Sequence, residues 1–117
     1  MTMLALMEAS LASAPIAAAD KADLRCIALF SIMAEEMPEE KEGMTGAIMF
    51  YIGRIEGRGS GLDLETGLAL AVDEFDRDAN RLKAEAQRCG EEMTVKGEEV
   101  QRVGNSLAVS SGQSGKN

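Results

Sequence analysis

The chain contains no histidine and no tryptophan, and its only aromatic residues are three Phe and one Tyr. Without an imidazole there is no Ser-His or Cys-His nucleophile, no imidazole base and no His-ligated metal centre. With so few rings there is no stacking platform for bases and no aromatic cleft for sugars. Positive charge is short as well: 12 Lys and Arg stand against 20 Asp and Glu, a formal net charge of −8. A nucleic-acid binder needs a basic footprint, so that class is excluded. No apolar run approaches the ~18–20 residues of a membrane span, and no stable membrane insertion is expected. Proline occurs twice, β-branched residues are thin, and no segment alternates with period two, which leaves no strand signal. No pair of carboxylates sits in an apolar context that would separate their pKa values for acid/base work. The expectation is a chain that is not an enzyme and carries no cofactor.

What is present is 117 residues rich in alanine, leucine and methionine, enough for one small domain. Residues 1–19 differ from the rest, with a single charge at Glu8 and an end in Ala17-Ala18-Ala19 before Asp20. Small residues at that end, with Pro15 just upstream, match a signal-peptidase site. The segment lacks an initial Lys or Arg and places Glu8 in the apolar part, as in an export signal shortened at its start. A weakly helical Ala-rich tail is the alternative. The expected organisation is an export segment over 1–19, a helical domain over 20–109 and a disordered tail over 110–117. Export implies a periplasmic or secreted location.

Cys26 and Cys89 are the only cysteines, an even number in a chain read as exported. Neither lies in a Cys-x-x-Cys, and no histidine is there to activate a thiolate. A bridge would close a loop of about 63 residues and contribute about 4 kcal/mol in the chain-entropy model. Two unlinked buried thiols are the alternative.

Four helices are predicted. The first opens near Asp20, whose carboxylate is placed to cap it. It carries Leu24, Ile27, Phe30, Met33 and Met37 at steps of three and four, with Cys26 beside them. Pro38 ends it and opens the second, where Glu39, Glu40 and Glu42 suit the positive end of the helix dipole. Its stripe is Met44, Ala47, Ile48, Tyr51, Ile52 and Ile55; Gly43, Gly46, Gly53 and Gly57 run alongside and suggest close helix approach. The run Gly57-Arg58-Gly59-Ser60-Gly61 has neither the Lys-Ser/Thr nor the preceding strand of a phosphate loop. It reads as a turn, with Ser60 as the cap of helix three and Asp63 inside its first turn. Helix three carries Leu64, Leu68, Ala71, Val72 and Phe75. Helix four starts at Asp78 or Ala79 and carries Leu82, Ala86, Cys89, Met93, Gly97, Val100, Val103 or Gly104, and Leu107, with Glu85 among the charges opposite. Both cysteines lie on inner stripes. The expected fold is therefore all-α, a small four-helix up-down bundle stapled by a disulfide between first and last helices.

Tyr51, Arg54 and Arg58 recur at i, i+3 and i+7 and form the one candidate anion or partner contact, since paired arginines hold a carboxylate or phosphate. In so acidic a chain they serve equally as counter-ions for Asp63 or Glu65. The charged run 73–78 lacks EF-hand spacing. Met33, Met37, Met44 and Met49 follow packing stripes rather than a soft-metal motif. No metal is expected.

Leu24-Arg25-Cys26, the central Phe50-Tyr51-Ile52-Gly53-Arg54-Ile55-Glu56-Gly57-Arg58, and Ala86-Gln87-Arg88-Cys89-Gly90 together resemble small uncharacterised exported helical proteins of Gram-negative bacteria. The Cys, Tyr-x-Gly-x-x-x-Gly, Cys layout is also similar to HdeA-type acid-activated periplasmic chaperones, and to small periplasmic immunity proteins that neutralise peptidoglycan-cutting effectors. These resemblances imply a non-enzymatic periplasmic protein that binds another protein, as an acid-stress chaperone or an immunity-type inhibitor, with a homodimer left open. Protonating every carboxylate would leave only the 12 positive charges, enough self-repulsion to loosen a small bundle.

Overall fold

The computed structural model describes residues 15–110. The expected export segment up to residue 14 and the tail beyond residue 110 lie outside the described residues. Four α-helices follow one another: α1, Ala18–Glu36; α2, Lys41–Arg58; α3, Leu64–Arg77; and α4, Ala79–Ser110. A 3₁₀ turn, Pro38–Glu40, separates α1 from α2. No strand occurs among the described residues. The all-α class matches the patterning, and so does the disulfide, which pairs Cys26 of α1 with Cys89 of α4. The chain divides into two compact units, Met1–Glu74 and Phe75–Asn117, and the bridge is a covalent link between them.

In the first unit α1 starts two residues ahead of Asp20, and no side chain caps it. Asp20 is not the expected cap: it is buried and its carboxylate is used elsewhere. From Cys26 to Phe30 five consecutive residues are buried. A helix covered all round is a core element rather than a surface one, and apolar Ile27, Ala28, Leu29 and Phe30 in succession permit that. Pro38 disfavours helical backbone at the residue before it, and Met37 accordingly leaves α1 at φ −128°, ψ 76°. α2 then returns antiparallel to α1, burying Ala47, Tyr51 and Ile55 at steps of four.

Gly59 ends α2 in the left-handed region at φ 68°, its N–H donating to the Glu56 carbonyl at 3.0 Å, and Gly61 follows at φ 69°. Both positions need a residue without a Cβ. Asp63, not Ser60, caps α3: its Oδ2 accepts from the Thr66 N–H at 3.2 Å and from the Thr66 hydroxyl. Arg25 holds Glu74 with two hydrogen bonds, Nε to Oε1 at 2.7 Å and Nη2 to Oε2 at 3.2 Å, tying α3 to α1.

The glycine line of α2 does not mark a close helix contact. A Cβ added at Gly43, Gly46, Gly53 or Gly57 meets nothing within 4 Å. Close approach is made instead by Gly67 of α3, where a Cβ would stand 2.8 Å from Cδ1 of the buried Leu24. Met49, read as part of a packing stripe, is 67% exposed. The two kinds of glycine give opposite expectations. Gly53→Ala should raise stability by about 0.5–1 kcal/mol, because it removes unfolded-state freedom inside a helix with open space around it. Gly67→Ala gains the same helix preference but overpacks Leu24, a cost of about 1–3 kcal/mol, so it should be neutral to destabilising. Chemical denaturation of both variants checks the contrast.

In the second unit α4 begins after Asp78, whose Oδ1 accepts from the N–H groups of Asn80 at 3.1 Å and Arg81 at 3.3 Å. The charged run 73–78 is thus helix up to Arg77 followed by a capping residue.

Candidate functional site

Antiparallel pairing of α1 and α2 brings the first turns of α1 against the last turns of α2. Acidic residues suit a helix N-terminus and basic ones a C-terminus. Here Asp20 and Asp23 meet Arg58 and Arg54. Arg54 donates to Asp23 from Nε to Oδ2 at 3.2 Å and from Nη2 to Oδ1 at 2.6 Å. Arg58 bridges the two carboxylates, Nη2 to Asp23 Oδ2 at 2.7 Å and Nη1 to Asp20 Oδ1 at 2.6 Å. The Ser60 hydroxyl donates to Asp20 Oδ2 at 3.0 Å. Asp20 and Asp23 are 2% and 1% exposed, whereas the two guanidinium side chains keep about a third of their surface.

Burial pushes the Asp23 carboxyl up, but the hydrogen bonds and charges of Arg54 and Arg58 outweigh it and hold the group below its ordinary value. Hydrogen bonds to Asp23 and Asp20 push the Arg58 guanidinium up. The cluster also leans on aromatic faces. The Arg54 guanidinium lies 5.0 Å from the Phe50 ring centre and 5.3 Å from that of Tyr51, and Tyr51 stacks on Phe30 at 6.1 Å.

These residues therefore form an internal ion cluster. Arg54 and Arg58 act as counter-ions, yet for Asp23 and Asp20 rather than for Asp63 or Glu65. Tyr51 has no exposed surface and so presents none to a partner. Every buried polar side-chain atom among the described residues has a hydrogen-bond partner. Such an arrangement holds two helices together; it supplies neither a nucleophile nor a proton donor to a substrate. Asp20 was read in the sequence only as a helix cap, and Asp23 was given no role there, because an aspartate near a helix start carries no signal of a partner some thirty residues away. Their one visible signal was the matching pair Arg54 and Arg58 near the far end of the next helix. A cavity of about 430 Å³ opens beside the glycine turn, bounded by Ile16, Asp20, Ser60, Leu62, Thr66 and Leu70; its Asp20 wall is already hydrogen-bonded to Arg58 and Ser60.

The second feature lies on α4, about 48 Å long at 1.5 Å per residue. Its first half buries Cys89 and, against expectation, Glu85 four residues earlier on the same face. Glu85 accepts from Arg88 Nε at 2.5 Å, which offsets the burial of its charge. Continuing along that face brings Val100, Val103 and Leu107, and these are 70%, 51% and 65% exposed. Of the stripe predicted as core, Cys89 is buried, Leu82 and Met93 are half-buried, and Ala86 is exposed with the residues from Gly97 on. Comparison with protein-family models, with curated proteins and with solved structures finds no match.

Proposed function

We propose that the chain is a non-enzymatic, exported protein that acts by binding another protein, with the uncovered half of α4 as its contact surface. One observation carries this reading: a single helical face is buried at Cys89 and open at Val100, Val103 and Leu107. Contiguous apolar surface left in water is the usual mark of an interaction site. The disulfide fits an oxidising compartment such as the periplasm. No helix of the described residues is long and apolar enough to cross a membrane. The test is a protein carrying Val100→Glu and Leu107→Glu, assayed for suppressing the aggregation of an unfolded substrate protein. Loss of suppression with an unchanged helical circular dichroism spectrum supports the reading, and full activity in that variant rejects it.

An acid-activated form of the same activity has its own support. The buried Asp23 carboxylate clamps α1 to α2 through Arg54 and Arg58, and protonating it loosens the clamp while the disulfide keeps the chain compact. On this reading aggregation is suppressed at pH 2–3 and not at neutral pH. Equal activity at both, or none at either, excludes it.

A further inference from the structure

Few groups of this chain are open to an oxidant. Histidine and tryptophan are absent, both cysteines are already joined in the bridge, and the single tyrosine, Tyr51, has no exposed surface. Methionine is the oxidisable side chain that remains, and the chain has eight. Methionine ordinarily fills gaps in a core, yet no methionine is buried among the described residues. Met33, Met37, Met44 and Met93 are half-buried, and Met49 keeps 67% of its surface. Met1, Met3 and Met7 lie outside the described residues.

Met49 is open because of its neighbours on α2. A helical side chain leans towards the N-terminus, so the residue four positions on is the one that would lie over Met49. That residue is Gly53, and the residue three positions before is Gly46; a Cβ at either meets open space. The glycine line of α2 thus leaves the Met49 thioether uncovered. We propose that Met49 is an oxidation site of the folded protein: it takes an oxygen atom from a peroxide ahead of the other described methionines, and the fold survives the change. A lone pair of sulfur attacks one oxygen of hydrogen peroxide, the O–O bond breaks and an S–O bond forms. Sulfur gives up two electrons, and the proton of the transferred oxygen passes to the departing hydroxide, which leaves as water. The sulfoxide is polar and at this position stands in solvent, while a core built on Leu24, Ile27, Phe30, Tyr51 and Ile55 has no thioether to convert. A methionine sulfoxide reductase reverses the product, so the site consumes peroxide and is renewed without unfolding. This activity is separate from the binding face on α4.

Timed exposure of the disulfide-bonded full chain to hydrogen peroxide, with proteolysis and fragment-mass mapping, tests the proposal. Met49 should gain oxygen at least about fivefold faster than Met33, Met37, Met44 or Met93 in native buffer, and all five should react alike in denaturant. The protein oxidised at Met49 should keep its helical circular dichroism and a thermal midpoint within about 4 °C of the unmodified chain. Gly53→Leu should slow Met49 about twofold or more by covering its sulfur. The same variant should raise the thermal midpoint, since leucine is the better helix former; a folding defect would instead lower the midpoint and speed oxidation. Equal rates for the five methionines in native buffer overturn the proposal. So does a Met49 rate that Gly53→Leu leaves unchanged, or loss of the fold as Met49 is oxidised.

Discussion

Asp23→Ala is expected to lower stability at neutral pH by about 3 kcal/mol, the low end of what is lost when one partner of a buried ion pair is removed. Asp23 is the centre of the cluster, accepting two hydrogen bonds from Arg54 and one from Arg58 at a site without solvent access. The low end applies because both guanidinium groups keep access to water and are not stranded as dry charges. The effect should depend on pH in a stated direction. Asp23 is held below its ordinary value of 3.8 in the folded chain, so its contribution is fully present above that value. It is lost as pH falls through the lower folded value. Denaturant titrations of wild type and variant should therefore differ at pH 7 and converge in strong acid. A constant difference across that range would show that the carboxylate acts through packing and not through its charge. The same threshold bears on the acid-activated reading, because the depressed value delays release of the clamp until the pH falls below the ordinary carboxylate range.

Removing the disulfide is the second large effect. Cys26→Ala with Cys89→Ala should cost about 2–4 kcal/mol, read as a drop in the denaturation midpoint, since the loop of about 63 residues regains its freedom in the unfolded chain. Both cysteines have no exposed surface. A thiol reductant attacks a sulfur directly, so reduction in native buffer should be slow and should accelerate sharply in denaturant. Intact-mass measurement after timed exposure to a reductant follows the gain of two hydrogens. Rapid reduction in native buffer would mean that the chain opens readily around the bridge.

The helices were legible because their signals are local. Steps of three and four, Pro38 and the glycine turn each act within a few residues, and all four elements follow from them. The cysteines were legible for a related reason: each lies on the apolar stripe of its own helix. The error at Ser60 has a local cause as well. Ser60 and Asp63 are both competent caps three residues apart, but the Ser60 hydroxyl is bonded to Asp20 and Asp63 takes the Thr66 N–H.

Other assignments had no local signal. Gly53 and Gly67 are both interior helix glycines in sequence, yet only Gly67 lies against Leu24, because contact depends on which neighbour a face meets. Glu85 reads as one charge among many on a solvated side, and burial beside Cys89 together with Arg88 makes it internal. The α4 stripe continues to Leu107 in sequence, and only the fold decides that Cys89 on it is buried while Val100, Val103 and Leu107 are exposed.

By itself the sequence determined the all-α class, the helix order and the inward setting of both cysteines, since periodicity and backbone breakers need no knowledge of distant residues. It also excluded imidazole chemistry and a basic nucleic-acid footprint, which composition alone decides. Tertiary structure decided that Arg54 and Arg58 bind Asp23 and Asp20 instead of an outside anion, and that Tyr51 is core. Those outcomes rest on residues 31 to 38 positions apart brought to bonding distance, a pairing set by how two helices meet and not by the order of residues along either one.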